Sequence, residues 1–599
     1  MPDAARSQSV RASRALALAL AGLGAATAAA LVWAQFRSYD MLDGAFYFSL
    51  YQDPSDFSDT QTRFHLLARP IWLLCGQDIV AFRILTLAMA SGASWLFWRA
   101  WRRLLPNPDN AGTCWWPLWL ATMAGITWVP VALTYNSIPT LFGLTGLAIF
   151  LRLIDPSKAG RPTRSVQWAM ALLLAGLLYG VYLAKVPAAA AFGIGGLFLL
   201  CFEPRIDTRL RRALAFAGIL VAVVGLGAVL VVVTRRGSAP NEAFFVNGLL
   251  ITPNLIRNTF LRYWTEILRL VPALRADLSW TVGPMVLACG AALFAPSRSR
   301  RLRGWSAASL VLLLSAFSIA LLERRLWDSS FRAAVSGEGS RFYLLLWGSL
   351  LPVWIISVWP RAGTESKVTP RHAAWVIVLL MLPLISSFGT TNTVYVAALH
   401  ETVFWVAGLL LVADHIAGAF AAPWFRPGMA ALISLGAAGH VFSGHFLSPY
   451  MLQPSLWKQN ESVEIGFPAT KLKVDPALAA FLRDVRAALD ANGYKPGDDV
   501  FGFFNLPGVI YAVGAREPGA PWYFGTWYHQ ENIDGLKLER VPLRRRQNAW
   551  IVTQADVRQF RPQFLSCGID FPNGYTKIGQ TINPVSGLEV GIWKPRGRP

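Results

Sequence analysis

The stretch from Ala15 to Ala34, ALALALAGLGAATAAALVWA, carries no charge and is followed by the acidic, aromatic segment SYDMLDGAFY at 38–47. An apolar run of about 20 residues has the length that an α-helix needs to cross a bilayer core. Arginines at 6, 11 and 14 precede the run. Because the run is longer than the apolar part of a typical signal peptide, we interpret it as an uncleaved first transmembrane helix.

Similar apolar stretches continue as far as His445, and together they predict a polytopic bundle of about thirteen spans. Of the 599 residues, 54% are hydrophobic and 15% are charged, whereas a soluble domain has nearer a quarter charged residues. The predicted spans are 15–34, 79–98, 115–134, 137–153, 167–184, 187–203, 213–233, 279–295, 305–322, 342–359, 373–389, 398–416 and 428–446.

The charges of the loops predict the orientation of the bundle. Lys and Arg cluster after spans two, four, six, eight and ten, on the side of the N-terminus, and such loops are retained in the cytoplasm. This topology accounts for the net charge of +21 without a nucleic-acid partner. The C-terminus then lies on the outer side, with the long loops 35–78, 234–278 and 323–341. The second of these loops holds an amphipathic pattern at 255–264 suited to the interface.

The composition changes near Leu447 to that of a soluble domain. Asp475 is a favoured N-cap residue and predicts a helix at 476–492. Apolar runs between Gly, Pro and Asn turns predict strands at 500–504, 549–552 and 588–593. The predicted fold class is therefore mostly α, with a transmembrane domain at 1–446 and a small α/β domain at 447–599. The five cysteines form neither a disulfide framework nor a metal-binding motif.

Asp43 is the first candidate for chemistry, because it lies about nine residues past the first span. A carboxylate at the bilayer rim can act as a general base on an acceptor hydroxyl or amine. The local pattern alone favours a different role, the N-cap of a helix at 44–52 or a solvated loop position. Asp40 is a weaker candidate for the base. Tyr47 and His65 are candidates for a supporting role in the same loop.

Two cations are candidates for binding a phosphate. Arg69 would lie at the headgroup level, where a guanidinium can hold a phosphate through two hydrogen bonds, and a plain interfacial anchor is the alternative. Lys185 is the lone charge in an otherwise apolar stretch between spans five and six. Its ammonium would either snorkel to the interface or lie in a polar cavity, and the position favours the cavity.

Further polar residues border two later outer turns. Arg341 and Tyr343 begin span ten after Glu338 and could close an anionic site from the opposite side, with a rim salt-bridge cluster as the alternative. Asn392 lies in the turn before span twelve. Glu401, at the start of that span, is costly unless it is paired or hydrated, and stabilisation of a helix N-terminus explains it equally well.

Several familiar signatures are absent from the sequence. It has no phosphate-cradling Gly-rich loop, no HExxH, no GxSxG with triad partners and no CxxC. These absences argue against a nucleotide-driven enzyme, a metalloprotease and a serine hydrolase. The scarcity of acidic residues inside the spans weakens a proton-coupled or ion-coupled transporter.

Four short motifs together resemble the GT-C superfamily of membrane glycosyltransferases. The resemblance is to the polyprenyl-phosphate-sugar-dependent class, which includes the bacterial lipid A aminoarabinose transferases and the protein O-mannosyltransferases. The similar motifs are the acidic segment Asp43-Gly44-Ala45-Phe46-Tyr47, the basic segment Arg69-Pro70-Ile71-Trp72 with Gly76 and Phe82-Arg83, the Gly-containing run Tyr179-Gly180-Val181-Tyr182-Leu183-Ala184-Lys185, and Arg341-Phe342-Tyr343.

The resemblance implies that Asp43 is the base and that Arg69, Lys185 and Arg341 hold the donor phosphate. Two positions depart from the family's pattern. Gly44 stands where many relatives have a second acid, and Asn136, in Tyr135-Asn136-Ser137, stands where an Asp is frequent. Both departures make a carboxylate-bound divalent metal less favoured, because hard cations need several oxygen ligands. We therefore assign no metal ligand and no cofactor beyond the lipid-linked sugar donor.

The resemblance implies a multi-pass glycosyltransferase of the bacterial inner membrane with its active site on the periplasmic face. A sugar would pass, with inversion, from a polyprenyl phosphate in the membrane to a periplasmic lipid, glycan or protein. The α/β domain would help to bind or select that acceptor. The alternatives are a transporter or flippase of a lipid-linked glycan, and a non-catalytic membrane scaffold for the soluble domain.

Overall fold

The structure is a computed structural model, and element names below count only elements within the residues that it describes. Those residues are 2–56, 62–105, 112, 114–154, 163–203, 338–358, 369–387, 393–419, 422, 424–452, 454–519, 538–554 and 561–597, with scattered residues between 211 and 328. The predicted spans 213–233, 279–295 and 305–322, most of the amphipathic segment 255–264, and Asn392 lie outside them.

Long apolar helices make up most of the described chain, which confirms the mostly α fold class. Six of these helices, within the described ranges, are long and apolar enough to cross a membrane, while the total of thirteen spans stays a prediction. The helices that correspond to predicted spans are α1 (Pro2–Ala34), α4 (Ile79–Trp101), α5 (Trp115–Thr127), α6 (Ser137–Ile154), α7 (Arg164–Ala184), α8 (Val186–Cys201), α9 (Glu338–Val358), α10 (Pro370–Ser386), α12 (Thr402–Ala419) and α13 (Phe425–Val441).

Two predicted spans are wrong in their extent. Span three, predicted to reach residue 134, ends with α5 at Thr127, and an irregular segment follows it. Span twelve, predicted as one helix, is broken into the short α11 (Val394–Leu399) and α12. The break holds two buried polar residues, His400 and Glu401. Irregular backbone at such a depth is tolerated where it is buried in protein or lines a cavity.

The long loop after the first predicted span contains two helices. Helix α2 covers Asp43–Gln52 and α3 covers His65–Leu74, with a 3₁₀ turn at Pro54–Asp56 between them. Aromatic residues on α2 and α3 are buried against one another, with the Phe48 and Trp72 ring centroids 5.3 Å apart. These rings also pack against Phe82 of α4, at 6.4 Å from Phe48 and 5.4 Å from Trp72, so the loop shares the hydrophobic core of the bundle.

The C-terminal part folds as the predicted α/β unit. Asp475 Oδ2 accepts a hydrogen bond of 3.0 Å from the Leu478 N–H and caps α14 (Pro476–Asp490). The three predicted strands are present in a four-stranded sheet of order β5-β6-β8-β7, in which β5 and β6 are parallel and the other pairs antiparallel. These strands are β5 (Val500–Phe503), β6 (Trp550–Gln554), β7 (Tyr575–Ile582) and β8 (Glu589–Pro595).

Shorter elements complete the described fold. The hairpin of β3 and β4 was not predicted from the sequence, nor were β7 and the small pair of β1 and β2. Their bounds, with those of the short helices, are β1 (Phe244–Val246), β2 (Leu249–Ile251), β3 (Glu461–Ile465), β4 (Thr470–Val474), α15 (Pro507–Ala512), α16 (Leu543–Asn548) and α17 (Arg561–Ser566).

The soluble domain is hydrogen-bonded to the loop that follows the first span. The Gly508 N–H, at the start of α15, donates to the Met41 carbonyl at 2.9 Å. The Tyr39 hydroxyl donates back to the Gly508 carbonyl at 2.7 Å. The Ser38 N–H donates to the carbonyl of Lys473 on β4 at 3.0 Å. The segment that holds Asp40 and Asp43 is therefore fixed from the C-terminal side of the chain.

We expect Gly508→Ala to lower the apparent melting temperature of the detergent-purified protein. An added Cβ would lie 2.4 Å from the Met41 Cα, so the backbones would have to separate, and overpacking of this kind costs about 1–3 kcal/mol. Gly92→Ala in α4 is the matched control, because the space around Gly92 is open. Equal melting temperatures for the two variants would contradict the close docking of α15 on the loop.

Candidate active site

The acidic segment is held at its start by a guanidinium from α4. Arg83 is buried, and its Nη1 lies within hydrogen-bond distance of the carbonyls of Gln35, Arg37 and Ser38, at 3.3, 3.1 and 3.1 Å. These carbonyls follow directly on the end of α1. Arg83, which resembles a family residue leading into the second span, therefore fixes the exit of the chain from the first span.

Asp40 performs the local backbone role that the sequence pattern assigned to Asp43. Its Oδ1 accepts a hydrogen bond from the Leu42 N–H at 3.1 Å, and its Oδ2 accepts one from the Gly44 N–H at 2.6 Å. The N-cap residue of α2 is Leu42, and Asp43 is the first residue inside the helix. The N-cap interpretation of Asp43 is therefore wrong, because Asp40 supplies the carboxylate at this terminus.

Asp43 receives its hydrogen bond from another part of the chain. The hydroxyl of Tyr450, in the linker to the soluble domain, donates to Asp43 Oδ2 at 2.6 Å. Burial raises the pKa of Asp43, and this hydrogen bond opposes the rise. Burial raises the pKa of Asp40 to about 7, with a further contribution from the negative charge of Asp43. The two carboxyl groups thus form an interacting pair in which the pKa of each is raised above its ordinary value.

Gly44 lies in close contact with the segment after α5 and with Asp40. A Cβ on Gly44 would lie 3.1 Å from Pro130 Cβ and 3.3 Å from Asp40 Oδ2. A side chain at this position would therefore require Pro130 or Asp40 to shift by a few tenths of an ångström.

An aromatic group connects the acidic pair to the irregular segment after α5. The Tyr47 ring contacts Phe64 and Tyr135 edge-on, with centroid distances of 5.6 and 6.4 Å. The Phe64 and Tyr135 rings are 6.1 Å apart. Tyr47, a predicted supporting residue, therefore links α2 to the segment that ends in Asn136.

Lys185 lies in the protein interior at the junction of α7 and α8. Its backbone is extended, with φ −157° and ψ 100°. The residue is the C-cap of α7 and the N-cap of α8. The side chain is only 5% exposed, and its Nζ donates to Asn136 Oδ1 at 3.4 Å. Burial lowers the pKa of Lys185, while the negative charge of Glu401 opposes the shift.

Asn136 is the residue whose role the sequence pattern did not reveal. Asn136 is buried, and its Oδ1 accepts the hydrogen bond from Lys185. The signal available in the sequence was its place in a polar Tyr-Asn-Ser turn between two apolar spans. Its neighbour Tyr135 contacts Tyr47, so Asn136 connects the interior cation to the aromatic group.

Glu401 lies in the break between α11 and α12. The Ser386 hydroxyl donates to its Oε2 at 2.5 Å. The adjacent His400 has its Nδ1 3.0 Å from the Gly125 carbonyl, and its own carbonyl accepts from the Thr140 hydroxyl at 2.8 Å. These contacts place the break beside α5 and α6, close enough for the charge of Glu401 to act on Lys185.

Arg69 and His65 lie one turn apart on α3. Arg69 is half-buried, and its Nε donates to the Tyr51 carbonyl at 3.1 Å. Burial lowers the pKa of His65 to about 4, with a contribution from nearby Arg63 and Arg69. The Arg63 N–H donates to the Leu183 carbonyl at 2.9 Å, so the start of α3 lies beside the turn that contains Lys185.

The later candidates are placed differently. Arg341, half-buried in α9, acts electrostatically on Tyr395 of α11. The Tyr343 hydroxyl is 3.1 Å from His440 Nδ1 of α13, in the interior of the bundle. The contacts described for these two residues are thus with α11 and α13, and none is with Asp43 itself. Glu338 begins α9, and its side chain, like Asn392, lies outside what the structure describes.

The sequence also raises the question of whether the chain holds ligands for a divalent metal ion. In the described part of the chain, no group of three or more His, Cys, Asp or Glu residues is arranged to hold a metal ion. Asp40 and Asp43 are the two carboxylates of the segment at 38–47, and Asp40 already accepts two backbone N–H groups.

Comparisons with known proteins bear on the fold. No protein-family model matches the sequence, and no curated protein matches it. The structure is similar to the oligosaccharyltransferase AglB of Archaeoglobus fulgidus in complex with an inhibitory peptide and a dolichol phosphate. That match has a TM-score of 0.40 at 11% identity and covers 97% of this chain and 74% of AglB.

The structure is also similar to ArnT from Cupriavidus metallidurans, solved in the apo state and bound to undecaprenyl phosphate. The TM-scores are 0.37 and 0.36, at 13% and 14% identity. The apo match covers 97% of this chain and 99% of ArnT, and the bound match covers 98% and 97%.

The acidic pair predicts a pH dependence of stability. The folded-state pKa of Asp40 is above its unfolded value of 3.8, so the folded protein binds more protons between about pH 4 and 7 and loses stability as the pH rises through that window. We expect the apparent melting temperature to fall between pH 5 and 8, and Asp40→Asn to reduce this fall. Asp490→Asn, at an exposed site, is the control, and an unchanged slope in Asp40→Asn would contradict the assignment.

Proposed function

We propose that this protein is a membrane glycosyltransferase that moves a sugar from a polyprenyl-phosphate carrier to an acceptor on the outer face. The observation that carries the proposal is the position of Asp43. Its half-buried carboxyl lies nine residues past the first span, beside Asp40 and with a hydrogen bond from Tyr450. A carboxylate at the membrane rim can remove a proton from an acceptor hydroxyl or amine as that group attacks the anomeric carbon.

We assign the donor phosphate to Lys185 and Arg69, the second of which donates to the Tyr51 carbonyl of α2. Lys185 lies in the interior beside Asn136, and Arg69 lies on α3, whose start is hydrogen-bonded to the end of α7. The lipid phosphate is the leaving group, so fixed positive charge at its oxygens stabilises the developing charge of the transition state. Arg341 remains a proposed third ligand on the basis of the sequence resemblance.

The cellular arrangement belongs to the same proposal. The reaction would take place at the periplasmic face of a bacterial inner membrane, with the N-terminus in the cytoplasm and the α/β domain outside. The bundle interior would carry the lipid part of the donor, while a periplasmic lipid, glycan or protein would approach from the aqueous side. Inversion at the anomeric carbon follows from a single in-line displacement.

The soluble domain would help to bind or select the acceptor. Its contacts with the acidic segment, through Gly508 and Tyr39, mean that deleting the domain would also release the loop that holds Asp43. Acceptor selection is therefore best tested by surface substitutions on the domain. A change of acceptor with unchanged donor binding supports this role, and loss of both contradicts it.

The proposal is tested by profiling the glycans and lipids of cells that carry Asp43→Asn, beside wild type and a deletion at matched expression. We expect Asp43→Asn to lack the sugar that the deletion lacks, since loss of a general base reduces rates by about 10²–10⁴-fold. Asp53→Asn is the matched control, because Asp53 is a half-exposed carboxylate in the same loop, 3.7 Å from Arg516.

Each other outcome of the profiling points elsewhere. A sugar missing from the deletion but present in Asp43→Asn would show that Asp43 is not the base. Unchanged glycans in both strains would favour a transporter of a lipid-linked glycan or a membrane scaffold over the transferase.

Lys185→Met tests the phosphate assignment. The variant keeps the apolar length of the side chain but removes the ammonium that donates to Asn136. We expect binding of undecaprenyl phosphate to the purified protein to weaken about tenfold or more, because a hydrogen bond to a charged group contributes about 1.5–3 kcal/mol. Lys471→Met on the exposed face of β4 is the control. Equal affinities would remove Lys185 from the donor site.

A further inference from the structure

We propose that Tyr450 is a positioning residue for the transfer reaction, whose hydroxyl holds the Asp43 carboxylate in place and donates a hydrogen bond to its charged form. This inference depends on the function proposed above, in which Asp43 is the base. Tyr450 belongs to neither the predicted motifs nor the predicted outer loops. It lies in the linker between the last transmembrane helix and the soluble domain.

The Tyr450 ring is fixed from the transmembrane side. It packs edge-on against Trp128, with ring centroids 6.2 Å apart, and Trp128 in turn packs on His400 at 4.9 Å. Trp128 and His400 belong to the two breaks in the predicted spans, after α5 and before α12. Met451 follows with a φ of 55°, a conformation that such residues seldom adopt, so the backbone turns directly after the tyrosine.

The hydrogen bond from Tyr450 is made to only one of the two carboxylate oxygens of Asp43, Oδ2. The distance from the Tyr450 hydroxyl to Asp43 Oδ2 is 2.6 Å, within the range of hydrogen bonds to ionised acceptors. In the described part of the chain, no hydrogen bond to Asp43 Oδ1 is found. A carboxylate held by one oxygen can present the other to the proton of an acceptor group.

The donor also distinguishes two neighbouring acids. Adjacent carboxyl groups resist simultaneous ionisation, and Asp40 already has the Leu42 and Gly44 N–H groups as donors. Tyr450 supplies Asp43 with a donor of its own, so that Asp43 can carry charge beside Asp40. Other groups acting electrostatically on this cluster are Tyr47 and Tyr135 in the aromatic group and Arg83 of α4.

The test is Tyr450→Phe, which removes the hydroxyl and keeps the ring that packs on Trp128. The protonation midpoint of Asp43 is measured by infrared difference spectroscopy of the carboxyl band in purified protein, with Asp43→Asn as the blank. Sugar transfer is measured from pH 5 to 9 with reconstituted protein in membranes of the deletion strain, which hold the cell's own donor and acceptor. We expect the midpoint and the acidic limb of the rate profile both to rise by about one pH unit.

Tyr494→Phe is the matched control, because the Tyr494 hydroxyl also makes a buried hydrogen bond, 3.1 Å to the Val513 carbonyl, within the soluble domain. If Tyr450 had only a structural role, Tyr450→Phe would lower the melting temperature, as Tyr494→Phe does. The protonation midpoint of Asp43 would then be unchanged in both variants. An unchanged Asp43 midpoint, or a shifted midpoint with an unchanged rate profile, in Tyr450→Phe overturns the inference. Full transfer by Asp43→Asn would instead overturn the proposed base, so the two failures are distinguishable.

Discussion

The hydrogen bonds between α15 and the segment at 39–41 connect the C-terminal domain to the loop after the first span. The geometry of the acidic segment depends on them. Gly508 lies so close to Met41 that a Cβ would meet the backbone. The Tyr39 hydroxyl closes the contact from the other side, while Arg83 holds the preceding carbonyls. A loop held from the bundle and from the soluble domain can keep two carboxyl groups close together, although their charges and their burial both oppose ionisation.

Buried polar residues in the breaks between helices extend the site into the bundle. Lys185 ends one helix and begins the next, Asn136 follows the irregular segment after α5, and Glu401 lies in the break before α12. A continuous helix satisfies its own backbone, whereas each break leaves polar groups that must find partners within the protein. Ser386 and Asn136 meet part of this need through hydrogen bonds to Glu401 and Lys185, which keeps charge inside an apolar bundle.

The sequence predicted the helical bundle and the α/β domain because apolar length and alternation follow directly from residue type. It named Asp43 as a candidate base but assigned the backbone-capping role to the wrong aspartate, because Asp40, three residues earlier, accepts the Leu42 and Gly44 N–H groups. It did not predict Tyr450 or the role of Asn136, because their partners lie 407 and 49 residues away. Arg341 and Tyr343 have the expected residue types, but their described contacts lead to α11 and α13.

The loop after the first span contacts the C-terminal domain, in part through a parallel β-bridge between Arg37 and Lys473. This contact has a consequence for biogenesis. The segment leaving the first span is made early, whereas Gly508, the acceptor for Tyr39, comes 469 residues later. At roughly 5–20 residues per second this separation amounts to roughly 20–90 s of translation. During that interval the acidic loop has no C-terminal partner, and the nascent bundle stands in the membrane without a completed site. Folding of the last domain onto the loop is therefore the step that completes the acidic segment's contacts in a newly made molecule.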